Sequence, residues 1–188
     1  SFGPADVPWG GAEGNPSPTV TPRRYGCTLI AAGPLEGWGC TLPADVLTRD
    51  AGKFQNLTAF ADHPALLDHP RIEKIVGVFE NVTCQADRIT ADLVLKPTAI
   101  ALAIRPLLDQ VVIDQQAGQP TPDIGFSANL WLELAAQPNA DGLYNIERIT
   151  DVESVDVVFR PASRPARLIN ILAETKPPPS HKEQPTMD

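Results

Sequence analysis

Apolar residues change their spacing several times along this chain, and each change predicts an element. Residues 25–32 are β-forming and stop at Gly33-Pro34, which predicts a strand followed by a turn. Leu42-Pro43-Ala44-Asp45 opens a short helical stretch through Leu47, with Pro43 tolerated in a first turn. Residues 58–60 read as extended and run into Asp62-His63-Pro64, where the following proline excludes His63 from the helical region. Residues 75–82 and 88–95 form two apolar-rich runs separated by the polar residues 83–87, the layout of a hairpin with a five-residue connection.

Residues 97–116 carry Ile100, Leu102, Ala103, Ile104, Leu107, Leu108, Val111 and Val112 at helical spacing, interrupted by Pro106, and predict one long, kinked helix. Residues 123–134 return to a period of two. Ile124, Phe126, Ala128, Leu130, Leu132 and Leu134 share one side, while Gly125, Ser127, Asn129, Trp131 and Glu133 share the other. After the turn-rich residues 138–142, residues 143–149 and 152–159 read as two further strands. In the second, Val155, Val157 and Phe159 line one face and leave Ser154, Asp156 and Val158 on the opposite one. Residues 166–172 read as a final apolar element docking on the core. The sum is a β-rich α+β domain, and no period of 20 to 50 residues points to a solenoid or propeller.

Composition changes this picture mainly at the ends. Of 20 prolines in 188 residues, nine lie in residues 1–22 and 176–188, so those stretches read as tails around one domain, residues 23–174. A net charge of −8 disfavours nucleic acid as a partner, since binding to a phosphate backbone is driven by clustered Lys and Arg. No run of about 18 apolar residues predicts a membrane span, and no signal-peptide pattern opens the chain. Cys27, Cys40 and Cys84 have neither even parity nor CxxC spacing, so they read as reduced thiols in a cytosol. No metal-ligand cluster or phosphate loop occurs, and no cofactor is expected.

Three residues carry the candidate chemistry. His63 stands where a strand breaks; His69 repeats the Asp-His-Pro triplet in a more polar loop, and His181 lies in the C-terminal tail. Ser127, between the small Gly125 and Ala128, faces away from the apolar layer, where a peptide backbone has room to approach. A serine needs a base within hydrogen-bond reach, and that base benefits from an orienting acid. Asp156 sits in so apolar a strand that its carboxylate needs compensation, either a histidine or an ion pair with Arg160 or Arg164. Glu153 and Asp151 are the neighbouring acids. Each candidate also has a plain reading, as a structural histidine, a polar-face strand serine and an ion-paired acid.

Taken in order, Asp62-His63-Pro64, Val76-Gly77-Val78 before a hairpin, Ile124-Gly125-Phe126-Ser127-Ala128, and the run from Ser154 to Arg160-Pro161-Ala162 resemble the prohead (capsid maturation) proteases of tailed bacteriophages. The resemblance covers residues 25–172. It implies a serine endopeptidase with a herpesvirus-assemblin-like β-barrel surrounded by helices, one long and a few short. It further implies action in the host cytoplasm, inside the immature capsid, on scaffold protein and major capsid protein, and a homo-oligomer. Carried over, His63 is the general base, Ser127 the nucleophile and Asp156 the orienting acid, with Arg164 helping at the oxyanion. The chain departs from the family near the final strand: where many members have Glu-Val-Ser-Leu-Val, Ser154-Val155-Asp156-Val157-Val158 displaces the acid by two. The resemblance makes the proline-rich end a linker toward a scaffolding segment. The alternatives are a catalytically silent assembly or scaffolding module of the same fold, or an unrelated β-rich binding domain.

Overall fold

A computed structural model of the chain describes residues 22–62 and 71–172. Both tails lie outside the described residues, apart from Pro22 at the inner end of the first. The elements run β1 (Arg24–Ala31), β2 (Gly33–Leu35), β3 (Cys40–Leu42), α1 (Ala44–Asp50), β4 (Thr58–Phe60), β5 (Ile75–Gln85), β6 (Arg88–Leu95), α2 (Ala99–Gln116), β7 (Ile124–Pro138), β8 (Tyr144–Phe159) and β9 (Leu168–Ile171). Two 3-10 turns, Ala51–Phe54 and Ile72–Lys74, complete the helical part. The domain is therefore α+β and sheet-rich. Among the described residues it has two α-helices rather than one long helix with several short ones.

The strands form a five-stranded sheet in the order β4-β5-β6-β1-β9 and a four-stranded sheet in the order β2-β3-β8-β7. A single hydrophobic cluster, including Tyr25, Phe79, Leu93, Leu108, Phe126, Ile149 and Val155, fills the space they share with α1 and α2. The expected barrel does not close. The sheets meet at one side through the single parallel bridge Ala61↔Val157, and at the other through the hydrogen bond from Phe126 N–H to Ala166 C=O. No ladder can extend through residues 160–167, because Pro161 and Pro165 have no N–H to donate.

Two expected strands near the C-terminal end are one. Strand β8 runs unbroken for 16 residues, yet its core-facing residues Ile146, Ile149, Val152 and Val155 recur every third position. They oppose Leu134, Leu132, Leu130 and Ala128, which recur every second position on β7. Three bulges reconcile the two periods. Each inserts one extra residue on β8, namely Glu147, Thr150 and Glu153, all exposed. A period of three cannot face one side of a regular strand, which is why the sequence pattern divides at Thr150-Asp151.

The β5–β6 hairpin is also tighter than its polar residues suggest. Thr83 and Thr90 share a hydroxyl–hydroxyl hydrogen bond across the strands at 2.9 Å, and pairing continues to Gln85↔Arg88. Only Ala86-Asp87 connect them, with Ala86 taking a positive φ of 51°. Gly33-Pro34, expected as a turn, pairs with Leu42 and Thr41 as the start of β2. The helix expected over residues 97–116 begins two residues inside, at Ala99, where the Thr98 hydroxyl accepts from Ala101 N–H and donates to Ile75 C=O. It continues through Pro106 to a C-terminal turn at Gly118, where φ is +67°. Asp109 ties it to β1 by accepting from the Tyr25 hydroxyl at 2.7 Å and Arg23 Nε at 2.9 Å.

Asp50, 6% exposed at the end of α1, anchors the edge of β8. It accepts from Ile149 N–H at 2.8 Å and pairs with Arg49 and Lys53, while Lys53 Nζ donates to Ile149 C=O. The Arg49 guanidinium, despite the opposing cost of burial, holds the Asp50 carboxyl well below the usual carboxylate range. A depressed folded-state pKa gives stability that is present above the unfolded value and lost as pH falls toward the folded one. Asp50→Asn is therefore expected to cost about 1–3 kcal/mol at pH 7. In urea denaturation its difference from wild type should shrink steadily below about pH 4.

Candidate active site

Strands β7 and β8 pair antiparallel with Ser127 directly opposite Asp156, Gly125 opposite Val158 and Asn129 opposite Ser154. Residues directly opposite share a face, with Cβ atoms about 4.5–5.5 Å apart. Two positions on each strand thus build one polar face from Ser127, Asn129, Ser154 and Asp156. Phe126 and Val155, one residue along, point into the core and are almost wholly buried. The alternation seen in the sequence holds here because this stretch precedes the first bulge.

Ser127 is half-buried, whereas Asp156 is fully buried. Both arginines considered as partners for Asp156 are engaged with other groups. Arg160 lies over the Phe159 ring, 5.1 Å from its centroid, and Arg164 pairs with Glu36 at 2.6 Å and Asp123 at 3.5 Å. The two neighbouring acids stand elsewhere. Asp151 is exposed opposite Trp131, and Glu153 occupies a bulge where it accepts from Asn129 Nδ2 at 2.9 Å. The bulge carries Glu153 toward the Ser127 side, whereas regular alternation would put it with Val155.

His63, His69 and His181 lie outside the described residues. The chain immediately before His63 is fixed: Asp62 N–H donates to Val157 C=O at 2.9 Å, next to Asp156, and Asp62 takes a left-handed φ of 70°. Strand β4 thereby delivers its C-terminal end to β8 within one residue of the candidate acid.

Gly125 does not leave room for a substrate, as its small size suggests. A Cβ there would collide with Ala166 C=O, and would stand 2.6 Å from Arg167 Nη1 and 2.8 Å from Pro161 Cγ. The space is filled by residues 160–167. This loop is pinned along its length: Ala31 N–H donates to Ser163 Oγ, Glu36 N–H to Ala162 C=O, Thr28 N–H to Arg167 C=O, and Phe126 N–H to Ala166 C=O. Arg164, the expected oxyanion residue, is 59% exposed and drawn toward Glu36. Arg167 is the guanidinium against the Gly125 face. It donates from Nη2 to Asp123 at 2.6 Å and from Nη1 to Ala166 C=O at 3.0 Å, and burial pulls its pKa below the usual arginine value.

Sequence reasoning passed over Asp123 and Arg167. A signal was present in the doubled Arg-Pro-Ala of Arg160-Pro161-Ala162-Ser163-Arg164-Pro165-Ala166-Arg167, a proline-stiffened basic loop. Its target just before β7, 44 residues away, has no local signature.

A scan against protein-family models and searches of curated proteins and of solved structures find no match to the chain. Among the described residues, no helix is long and apolar enough to cross a membrane.

Two substitutions probe this surface. Gly125→Ala is expected to lose about 1–3 kcal/mol by forcing the loop off β7, read as a lower Tm. Ser154 Oγ is fully buried with no hydrogen-bond partner among the described residues, so Ser154→Ala should be neutral or raise stability by up to about 1 kcal/mol in the same melt.

Proposed function

We propose that the chain is a serine endopeptidase of the prohead-protease type, cleaving scaffold and major capsid protein within an immature phage capsid. The observation that carries this reading is the direct opposition of Ser127 and Asp156 on one face of β7–β8, with the segment leading to His63 tied to β8 beside them. In this reading His63 takes the Ser127 proton as Ser127 attacks the peptide carbonyl, and the buried Asp156 stabilises the imidazolium that forms. His63 then returns the proton to the departing amine, and water, activated by the same imidazole, releases the acyl group.

The edge of β7 supports a peptide substrate. Phe126 N–H points out of the sheet and is taken by Ala166, and strand alternation repeats that outward direction at Ala128 and Leu130. Beyond Ala166 those groups have no ladder partner among the described residues, since β7 is the last strand of its sheet. An extended peptide can add there as a further strand, beginning beside the nucleophile.

The test is covalent labelling by a fluorophosphonate, with the modified residue located by peptide mass mapping. Wild type is expected to label at Ser127, and Ser127→Ala and His63→Ala to lose labelling. Asp156→Asn should slow it about 10²–10⁴-fold, since an amide misorients the imidazole. A folded wild-type chain that resists the probe and leaves scaffold protein intact would overturn this reading in favour of a silent assembly module or an unrelated β-rich binding domain.

A further inference from the structure

We propose that Asp123 is a positioning residue of this site, holding residues 160–167 and the Arg167 guanidinium against the Ser127 face. The inference rests on the peptidase reading and extends it to residues no sequence motif selects. Asp123 lies at the mouth of β7, four residues before Ser127, and meets the loop at three points. Its backbone C=O accepts from Arg160 N–H at 2.8 Å, one carboxylate oxygen accepts from Arg167 Nη2 at 2.6 Å, and the other faces Arg164 Nη1 at 3.5 Å. Both ends of the loop therefore close on the residue that leads into the nucleophile strand.

The glycine at 125 makes this contact possible. With no Cβ, the strand floor lets Arg167 Nη1 come as close as a side chain of residue 125 itself would lie. Gly125 and Ser127 project to the same face one strand repeat apart, about 6–7 Å. The cation is thus set beside the place where negative charge develops when Ser127 attacks. Two of the five guanidinium N–H donors are engaged, by Asp123 and Ala166, leaving the remainder for that charge or for the carbonyl that precedes it. Arg167 is 23% exposed, so this interaction is less screened than one at the surface. Arg164 is the more exposed arginine and has a second carboxylate, Glu36, to hold it away.

A carboxylate that only braced the fold would behave differently from one that aims a cation. Asp123→Asn keeps the shape and removes the charge. Its inactivation by the fluorophosphonate is expected to fall about 10–100-fold, in the limiting rate rather than in the half-saturating probe concentration. Asp123→Glu should recover part of that rate. The paired exchange Asp123→Arg with Arg167→Asp restores an ion pair, so it should recover Tm without recovering the rate. The proposal is overturned if Asp123→Asn labels as fast as wild type, or if the exchanged pair regains rate together with Tm. Should Asp123→Asn fail to fold, Asp123→Glu decides: a wild-type melt with a lowered rate supports the proposal, and a wild-type rate with a lowered melt overturns it. A wild-type protein that never labels at Ser127 removes the peptidase reading, and this inference with it; normal labelling of Asp123→Asn removes this inference alone.

Discussion

The site depends on the pairing of two strands whose apolar periods differ. Strand β7 repeats every two residues and β8 every three, and each step of the ladder must still place one apolar side chain of each strand in the core. The three extra residues on β8 absorb the difference and remain at the surface. Beyond the last bulge, at Glu153, the two strands fall into plain register, and Ser127 meets Asp156. A register slip of one residue would send one of them into the core and leave the pair on opposite faces.

The buried carboxylate in this region needs the rest of the fold around it. Asp156 is enclosed between β7 on one side and the end of β4 on the other, where Asp62 binds Val157. The interior of β8 is held by Asp50 and Lys53 at Ile149, so the strand is anchored at two points by elements that precede it in the chain by about a hundred residues. Residues 160–167 then return along the outer edge of β7 and join both sheets without adding a strand. Their two prolines keep the loop from laddering, and their fixed shape lets two arginines lie at different distances from the nucleophile strand.

Much of this is legible in the residues themselves. The period of two over residues 123–134 places Phe126 in the core and Ser127 on the other face, and β7 shows that arrangement directly. Residues 58–60 and the helix of residues 99–116 follow their patterns closely, because each keeps one period throughout. The pattern misleads at β8, where tertiary pairing, not the strand's own alternation, sets which residue faces in. It misleads again at residues 83–87, where polar residues continue a ladder because their side chains bond each other across it.

The amino-acid order by itself determined the α+β class, the face on which Ser127 stands and the acidic candidates near the chain's last long strand, since these follow from local period and composition. Tertiary structure alone decided that Asp156, rather than Asp151 or Glu153, lies opposite Ser127, because that choice depends on where bulges fall between partner strands. It also decided that the gap over Gly125 is filled from residues 160–167 and that Arg167 there is held by Asp123. That contact joins positions 44 residues apart, through a guanidinium and a carboxylate whose approach no local pattern records.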